Sequence, residues 1–446
     1  MADKTLLKNG IVLTLDKKVG NFHQADVLID GAKIAAVAPN LNVEGAEVID
    51  ASDMIVMPGF VDSHRHVWEG ILRNIATDVP LEGEAGYRSL VLNTLAPAFR
   101  PEDAYVGNLV GLYGAIDAGI TTILDWSHIQ ATREHADAVI KALQESGMRA
   151  VFAYGYPSWK NPDHNQDAWV REVAKQYFSS KDQLLTFALA PQGPEFSPFE
   201  TAKAQWNLAR ELDVRITVHV GVGMAGKLGK LGEMGKAGLL KDDTTYIHCT
   251  TLSDDEIQMI ADSGGTISLS APTEMMMGHG LPPIQRLLDR GLRPSLSVDA
   301  ETNMPNDMFT QMRAVNSLQK GLSFERKLAR KSAPAFLTAR EVLEFATIEG
   351  ARANGLLDKT GTLTPGKQAD IIMLRTDRPN ILPVNDPVSA VTWGMDTSNV
   401  DTVFVAGKAL KREGKLLNVD VDQLMLKAYE ARDYVISKSG FKLPVI

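Results

Sequence analysis

Asp62-Ser63-His64-Arg65-His66 decides how this chain is read. It follows an apolar run at 55–61 that predicts a buried strand. Side chains alternate along an extended segment, so two histidines one residue apart point the same way. Both imidazoles can then reach one ion. Alone the pair is weak evidence, because a histidine in an apolar strand is more often a hydrogen-bonded core residue.

Working outward, seven more strands are predicted at 121–126, 150–156, 184–191, 215–220, 245–248, 266–270 and 294–299. Their Val, Ile and Leu content fits strands buried on both faces. Helical patterns separate them. Ser197-Pro198-Phe199-Glu200, Ser253-Asp254-Asp255-Glu256 and Thr338-Ala339-Arg340-Glu341 read as helix starts, and Gly147 and Gly355 as stops. Eight β–α repeats favour an α/β fold of the (β/α)8 TIM barrel type, and a doubly wound open sheet fits the same alternation. His219, His248 and Asp299 end the fifth, sixth and eighth strands. In a barrel those ends open on the face that carries the chemistry. Imidazoles and a carboxylate with an open position form a catalytic zinc pattern, on which iron(II), cobalt or manganese can substitute.

Both chain ends read as β. Leu6-Leu7 and Ile11-Val12-Leu13 flank Asn9-Gly10, which predicts a hairpin. Strands are expected again at 369–374 and 402–405. Residues 1–57 and 360–415 are expected to form one small composite β-sandwich, 58–359 the barrel, and 416–446 a C-terminal helical extension. A net charge of −9 disfavours nucleic acid and acidic membrane surfaces as partners. The single cysteine, Cys249, excludes an intrachain disulfide and reads as a small buried residue. With no apolar leader and no spanning stretch, a cytoplasmic enzyme without membrane partners is the expectation.

Met57-Pro58-Gly59-Phe60-Val61-Asp62-Ser63-His64-Arg65-His66 resembles the first-strand signature of the amidohydrolase superfamily. Gly361-Thr362-Leu363-Thr364-Pro365-Gly366-Lys367-Gln368-Ala369-Asp370-Ile371 resembles its C-terminal signature. The chain looks most like the branch of cytosine, guanine and S-adenosylhomocysteine deaminases and s-triazine hydrolases. The resemblance implies that His64, His66, His219 and Asp299 bind one divalent ion. Zinc is expected there, with iron or another divalent ion compatible. It further implies that His248 bonds the metal-bound hydroxide or the substrate, and that the protein is a homo-oligomer acting on a small molecule. Binuclear relatives use a carboxylated lysine at the end of strand four. Here that end reads Ala190-Pro191-Gln192-Gly193-Pro194-Glu195, without lysine, which favours a single ion.

One position departs from the branch. Its deaminases place a proton-shuttling glutamate three residues after the strand-five histidine, where this chain has Val222. Candidates for the relocated acid are Glu69, Glu195, Glu274 and His279. His279, between two glycines, is preferred. The expected catalytic groups are therefore Asp299, His248 and His279, with Trp68, Glu69, Gln192 and Glu195 as substrate contacts. Trp126 and Tyr156 are candidates to stack on a flat substrate. His128 reads as structural, and His23, His135 and His164 as surface residues.

The leading functional expectation is hydrolysis of a C–N bond, by deamination or amide-type cleavage, in a small cyclic or aromatic nitrogen compound. Metal-bound hydroxide would attack, with Asp299 carrying the proton. Hydrolytic displacement of a halide from a heteroaromatic ring is the second expectation. A catalytically silent barrel that serves as a binding protein is the third.

Overall fold

The computed structural model describes residues 4–159 and 166–443; His164 lies outside them. Two sheets organise the chain. In one, seven parallel strands follow chain order: Phe60–His66, Ile120–Ser127, Arg149–Gly155, Leu185–Ala190, Arg215–Val220, Thr244–His248 and Thr266–Leu269. Ser295–Leu296 pairs with the seventh, and Asp299–Ala300 pairs with the first. The two outermost strands are thus pieces of one segment, which touches both edges of a curled sheet.

Side chains inside the curl bear this out. Ser63 of the first strand hydrogen-bonds Ser268 at 2.8 Å and Ser295 at 2.7 Å. Leu124, Trp126, Val151, Ala153, Ala188, Ala190 and Ile247 fill the rest, small residues making room for the indole. The first three strands are buried along their whole length.

The second sheet takes strands from both ends of the chain. Its order is Lys415–Leu416, Lys408–Arg412, Val400–Val405, Ile371–Arg375, Met54–Pro58, Lys4–Val12, Phe22–Asp30 and Lys33–Ala38, with Glu47–Asp50 beside Lys4–Val12. Leu7, Val27, Ile34, Val56, Ile371, Met373 and Phe404 form its own apolar cluster. The stretch 361–371 leads the chain back into it. Lys367 Nζ donates to the carbonyls of Leu357 and Thr360, and Asp370 takes two hydrogen bonds from buried Arg149, at 2.6 and 3.1 Å. Helix Val421–Ser439 then packs on helix Pro101–Asp117 through Ala431 and Val435.

Three local expectations are corrected. The run 55–61 is not one strand, because Met54–Pro58 belongs to the second sheet and Phe60–His66 to the first. The crossing is at Gly59, where an added Cβ would sit 2.1 Å from Thr121 Cγ2. Asn9-Gly10 makes no hairpin. It is a bulge within Lys4–Val12, with Asn9 at φ 67° and its N–H donated to Asp26 Oδ1. Pro198, not Ser197, is the N-cap of helix Phe199–Glu211, and the Ser197 hydroxyl bonds the Gly193 carbonyl instead. The capping boxes at Ser253 and Thr338 form as expected. Among the described residues, no helix is long and apolar enough to cross a membrane.

Candidate metal centre and pocket

The curl of the first sheet gathers side chains that are remote in the chain. His64 and His66 leave the first strand on one side, His219 comes from the fifth, and Asp299 from the segment that meets both edges. His64 Nε2 lies 3.1 Å from Asp299 Oδ1 and 3.2 Å from His219 Nε2. His66 Nε2 lies 3.3 Å from the same Asp299 oxygen. One ligand atom from each of the four residues falls within 4.8 Å of the others. Ligands about 2.0–2.1 Å from a central zinc stand roughly 3.3 Å apart, so the donor set fits a divalent ion.

The backbone is specialised here. Asp299, His248 and Cys249 have φ of 73°, 74° and 57°, a left-handed region that side chains usually avoid. Their neighbours hold them there. Cys249 N–H donates to Val220 O, and Thr250 Oγ1 donates to the carbonyls of Gly221 and His279. His66 Nδ1 sits 2.9 Å from the Trp126 carbonyl, which orients its ring and leaves Nε2 for the centre.

Arg65, between the two histidines, points away from them. It donates to Asp62 at 2.7 Å and to Glu301 at 3.1 Å, all three side chains wholly buried. Glu301 also receives Arg73. Asp62 in turn accepts from Val298 N–H. This ionic chain joins the strand carrying the histidines to the segment carrying Asp299.

Burial dominates protonation. It brings His64 down to about 3, His248 to about 4 and His279 to about 3, so all three are neutral at ordinary pH. It also takes His219 and His128 well below the usual imidazole range. For His66, burial pulls down, but the hydrogen bond and charge of Asp299 carry it up. Burial would raise Asp299, yet its hydrogen bonds with His64 and His66 hold it well below the carboxylate range. The neutral imidazoles of His64 and His219 beside the ionised Asp299 are lone-pair donors suited to a cation, whose charge would displace the proton that Asp299 favours on His66.

A pocket opens over these groups. His66, His128, His219, His248, His279 and Asp299 line its floor. Its walls include Trp126, Tyr156, Gln192, Phe196, Val222 and Met277, with Leu81, Tyr87, Arg88 and Leu92 from the connection after the first strand. Arg88 lies 4.9 Å over the Phe196 ring.

The other residues singled out in the sequence take different places. Gln192 lines the pocket, as do Trp126, Tyr156 and His279. Trp68 and Glu69 do not. The chain turns into a short 3-10 helix at Val67–Leu72, which swings both side chains inward. Trp68 packs on Phe99 and donates to His128, while Glu69 accepts from the Tyr87 hydroxyl and from Glu301 N–H. Glu195 is taken up by the Gly221 and Val222 amides, at 2.5 and 3.3 Å, and braces the turn that presents Val222. Burial raises Glu69 and Glu195 to about 7 each. Glu274 meets His248 Nδ1 at 3.2 Å, and burial pushes its carboxyl well above the usual range. His135, read as a surface residue, is buried against the Phe99 carbonyl. The ionic role of Arg65 and the pocket role of 81–92 have no periodic or spacing signal.

The sequence profile of the amidohydrolase family matches residues 55–410. The chain is 30% identical over 437 residues to a 5-methylthioadenosine/S-adenosylhomocysteine deaminase of Pyrococcus furiosus, covering 95% of this chain and 98% of that protein. It is 30% identical over 413 residues to a 5'-deoxyadenosine deaminase of Methanothermobacter thermautotrophicus, covering 89% and 91%. Among solved structures, the fold is shared with a zinc-bound adenosine deaminase of Xanthomonas campestris, at TM-score 0.85, 23% identity and coverage of 97% and 98%. It is also shared with the atrazine chlorohydrolase of Arthrobacter aurescens complexed with zinc, at TM-score 0.82, 24% identity and coverage of 96% and 100%.

Proposed function

The chain belongs to the amidohydrolase family, and on that premise we propose that it hydrolyses a carbon–nitrogen bond of a small nitrogen heterocycle with one divalent ion held by His64, His66, His219 and Asp299. The observation that carries this reading is the convergence of those four ligand atoms, with His66, His219 and Asp299 also lining the pocket above them. Zinc is our choice of ion, because nitrogen and carboxylate ligands suit it and both zinc-bound solved structures share the fold. We read the curled sheet as a closed (β/α)8 barrel, supported by the segment 295–300 meeting both edges. The sheet shared by the two chain ends is read as a sandwich-like companion.

When bound, such an ion supplies an acidified water as nucleophile and polarises the carbon under attack. The chain's own groups do the rest. Asp299 Oδ1 faces His64 and His66, whereas Oδ2 turns towards His248 Nε2 at 3.9 Å. That second oxygen is placed to take a proton and pass it to the leaving nitrogen. His248 and His279 stand on this side of Asp299, where they stabilise charge on the departing group. Trp126, Tyr156, Phe196 and Met277 offer flat and soft walls for a planar ring, and Gln192 an amide to orient it. By their names, two similar proteins act on adenine nucleosides. A purine-like amine is accordingly the first substrate class to test.

One observation favours a second reading. Val222 puts an apolar side chain on the pocket wall beside His219. A leaving group that needs no protonation, such as halide on a heteroaromatic ring, suits that wall. Zinc-reconstituted protein is to be assayed on paired amino- and chloro-substituted purines, pyrimidines and triazines. Ammonia release supports the first reading and chloride release the second. Retention of full turnover after complete metal removal would refute both.

A further inference from the structure

Arg88 stands apart on the pocket wall. Among the described residues that line the pocket it is the only arginine or lysine, and Asp299 on the floor is the only carboxylate. Asp299 is committed to His64 and His66. We infer that Arg88 receives a carboxylate of the substrate, so that the compound hydrolysed is a nitrogen heterocycle with a monoanionic arm remote from its leaving group. This deepens the reading above and rests on it for the place of the reacting ring, over the floor.

Three features of the structure point to it. The first is an unused donor set. Among the described residues the guanidinium donates no hydrogen bond, and its one ion pair, Nε to Glu82 Oε1 at 3.6 Å, is longer than a hydrogen bond. The Glu82 side chain is 68% exposed and that of Arg88 32%, so the pair is wet and weak. A carboxylate brought in against the wall displaces it. The second feature is orientation. The guanidinium lies 4.9 Å over the Phe196 ring. Contact with the ring leaves the N–H fork free, and two parallel N–H groups match the two oxygens of a carboxylate. The third is a fixed carrier. Arg88 N–H donates to Leu81 O at 3.1 Å and Tyr87 N–H to Pro80 O at 2.7 Å. Leu81 N–H in turn donates at 2.8 Å to the carbonyl of Met277, itself a wall residue.

Leu81, Leu92 and Phe196 give this part of the wall an apolar surface, against which a charge-assisted bond is stronger than in water. A neutral arm would cover the cation without pairing it, so the same residue selects against neutral compounds. One guanidinium balances one charge, which favours a carboxylate over a phosphate dianion.

Paired ligands that differ only in charge test this. Hypoxanthine bearing an acetate arm on its five-membered ring is the deamination product of the matching adenine and does not turn over. Its acetamide is the neutral control. In calorimetry with zinc-reconstituted full-length protein, the acid is expected to bind roughly tenfold or more tighter than the amide, as a charge-assisted hydrogen bond contributes. That advantage should shrink as salt rises and vanish in Arg88→Met, with Arg88→Gln in reserve if the methionine variant does not fold. Arg88→Lys should keep part of it. Rates on the matching adenines and chloropurines are measured beside it, the acids expected to show the lower KM. Equal affinity for acid and amide, no binding of the acid, or an advantage that survives in both Arg88→Met and Arg88→Gln overturns the carboxylate subsite alone. A phosphonate arm bound more tightly than the acetate overturns the monoanion. Absence of turnover on every adenine and chloropurine, with the acid's binding advantage intact, overturns the hydrolase reading and leaves the subsite standing.

Discussion

Arg65 Nη1 donates to Glu301 Oε1 over 3.1 Å, between two side chains with no exposure to solvent. The bond joins the residue between His64 and His66 to a residue two beyond Asp299. Removing one member of a buried ion pair leaves the other charged and unpaired, which typically costs about 3–5 kcal/mol. Arg65→Met leaves Asp62 without a cation and Glu301 with Arg73 alone. We predict destabilisation of about that size in denaturant titration, with loss of bound metal as the first and last parts of the site drift apart. Arg65→Lys should fall between, since an ammonium cannot serve both carboxylates in the guanidinium's geometry. A stability change below about 1 kcal/mol for Arg65→Met would refute the role.

His64→Ala and Asp299→Asn are each predicted to lower turnover by roughly a thousandfold or more, because the ion supplies the nucleophile. His64→Ala should also lose bound zinc. Elemental analysis beside steady-state rates checks both. Normal metal content in His64→Ala would remove that residue from the ligand set.

Chelation should lower the melting temperature, and zinc should restore it. A ligand that binds only the folded chain, at 100 times its Kd, stabilises it by about 2.7 kcal/mol. Thermal scans with chelator, and then with excess zinc, read this out. Identical transitions would refute a resident ion.

Glu195 gives a pH prediction. Burial raises its folded-state carboxyl from 4.5 to about 7. The unfolded chain therefore releases this proton first, and stability falls as pH rises from about 4.5 to about 7. The share of that fall due to Glu195 is up to roughly 3 kcal/mol. Glu195→Gln keeps an acceptor for the Gly221 and Val222 amides but cannot ionise. Its stability curve should be flatter over that window, as followed by urea unfolding at several pH values. An unchanged slope would show that the carboxyl titrates normally.

Gly59→Ala should cost about 1–3 kcal/mol, the usual range for overpacking, because its Cβ would meet Thr121 Cγ2 at 2.1 Å. Equilibrium unfolding checks it. A silent substitution would mean that the crossing between the sheets is slack.

The positions of the candidate ligands are readable in the sequence because strand geometry fixes them. Period two puts His64 and His66 on one side, and each of His219 and His248 falls at or beside the end of an apolar run. Side-chain direction beyond a strand end is not readable, since it depends on a turn that local pattern does not encode. Trp68 and Glu69 follow the histidines yet face inward, because a 3-10 turn begins at Val67. Glu195 looks like a free loop carboxylate until the Gly221 amide is seen beside it. Partners far apart in the chain are equally hidden: Arg65 and Glu301 are 236 residues apart. Asn9-Gly10 has the composition of a turn, and only its pairing with Phe22–Asp30 makes it a bulge.

The sheet that unites both ends of the chain sets an order on biosynthesis. Met54–Pro58 has its partner in Ile371–Arg375, and that strand in Val400–Val405. During translation Leu7, Val27 and Val56 emerge more than 300 residues before Ile371 and Phe404 complete their cluster. The parallel sheet can form in the meantime, whereas the mixed one must wait for the last tenth of the polypeptide. Pairings this distant form slowly, and an unfinished apolar edge is prone to aggregate. A nascent chain cut short before residue 400 would therefore carry an exposed, sticky amino-terminal sheet.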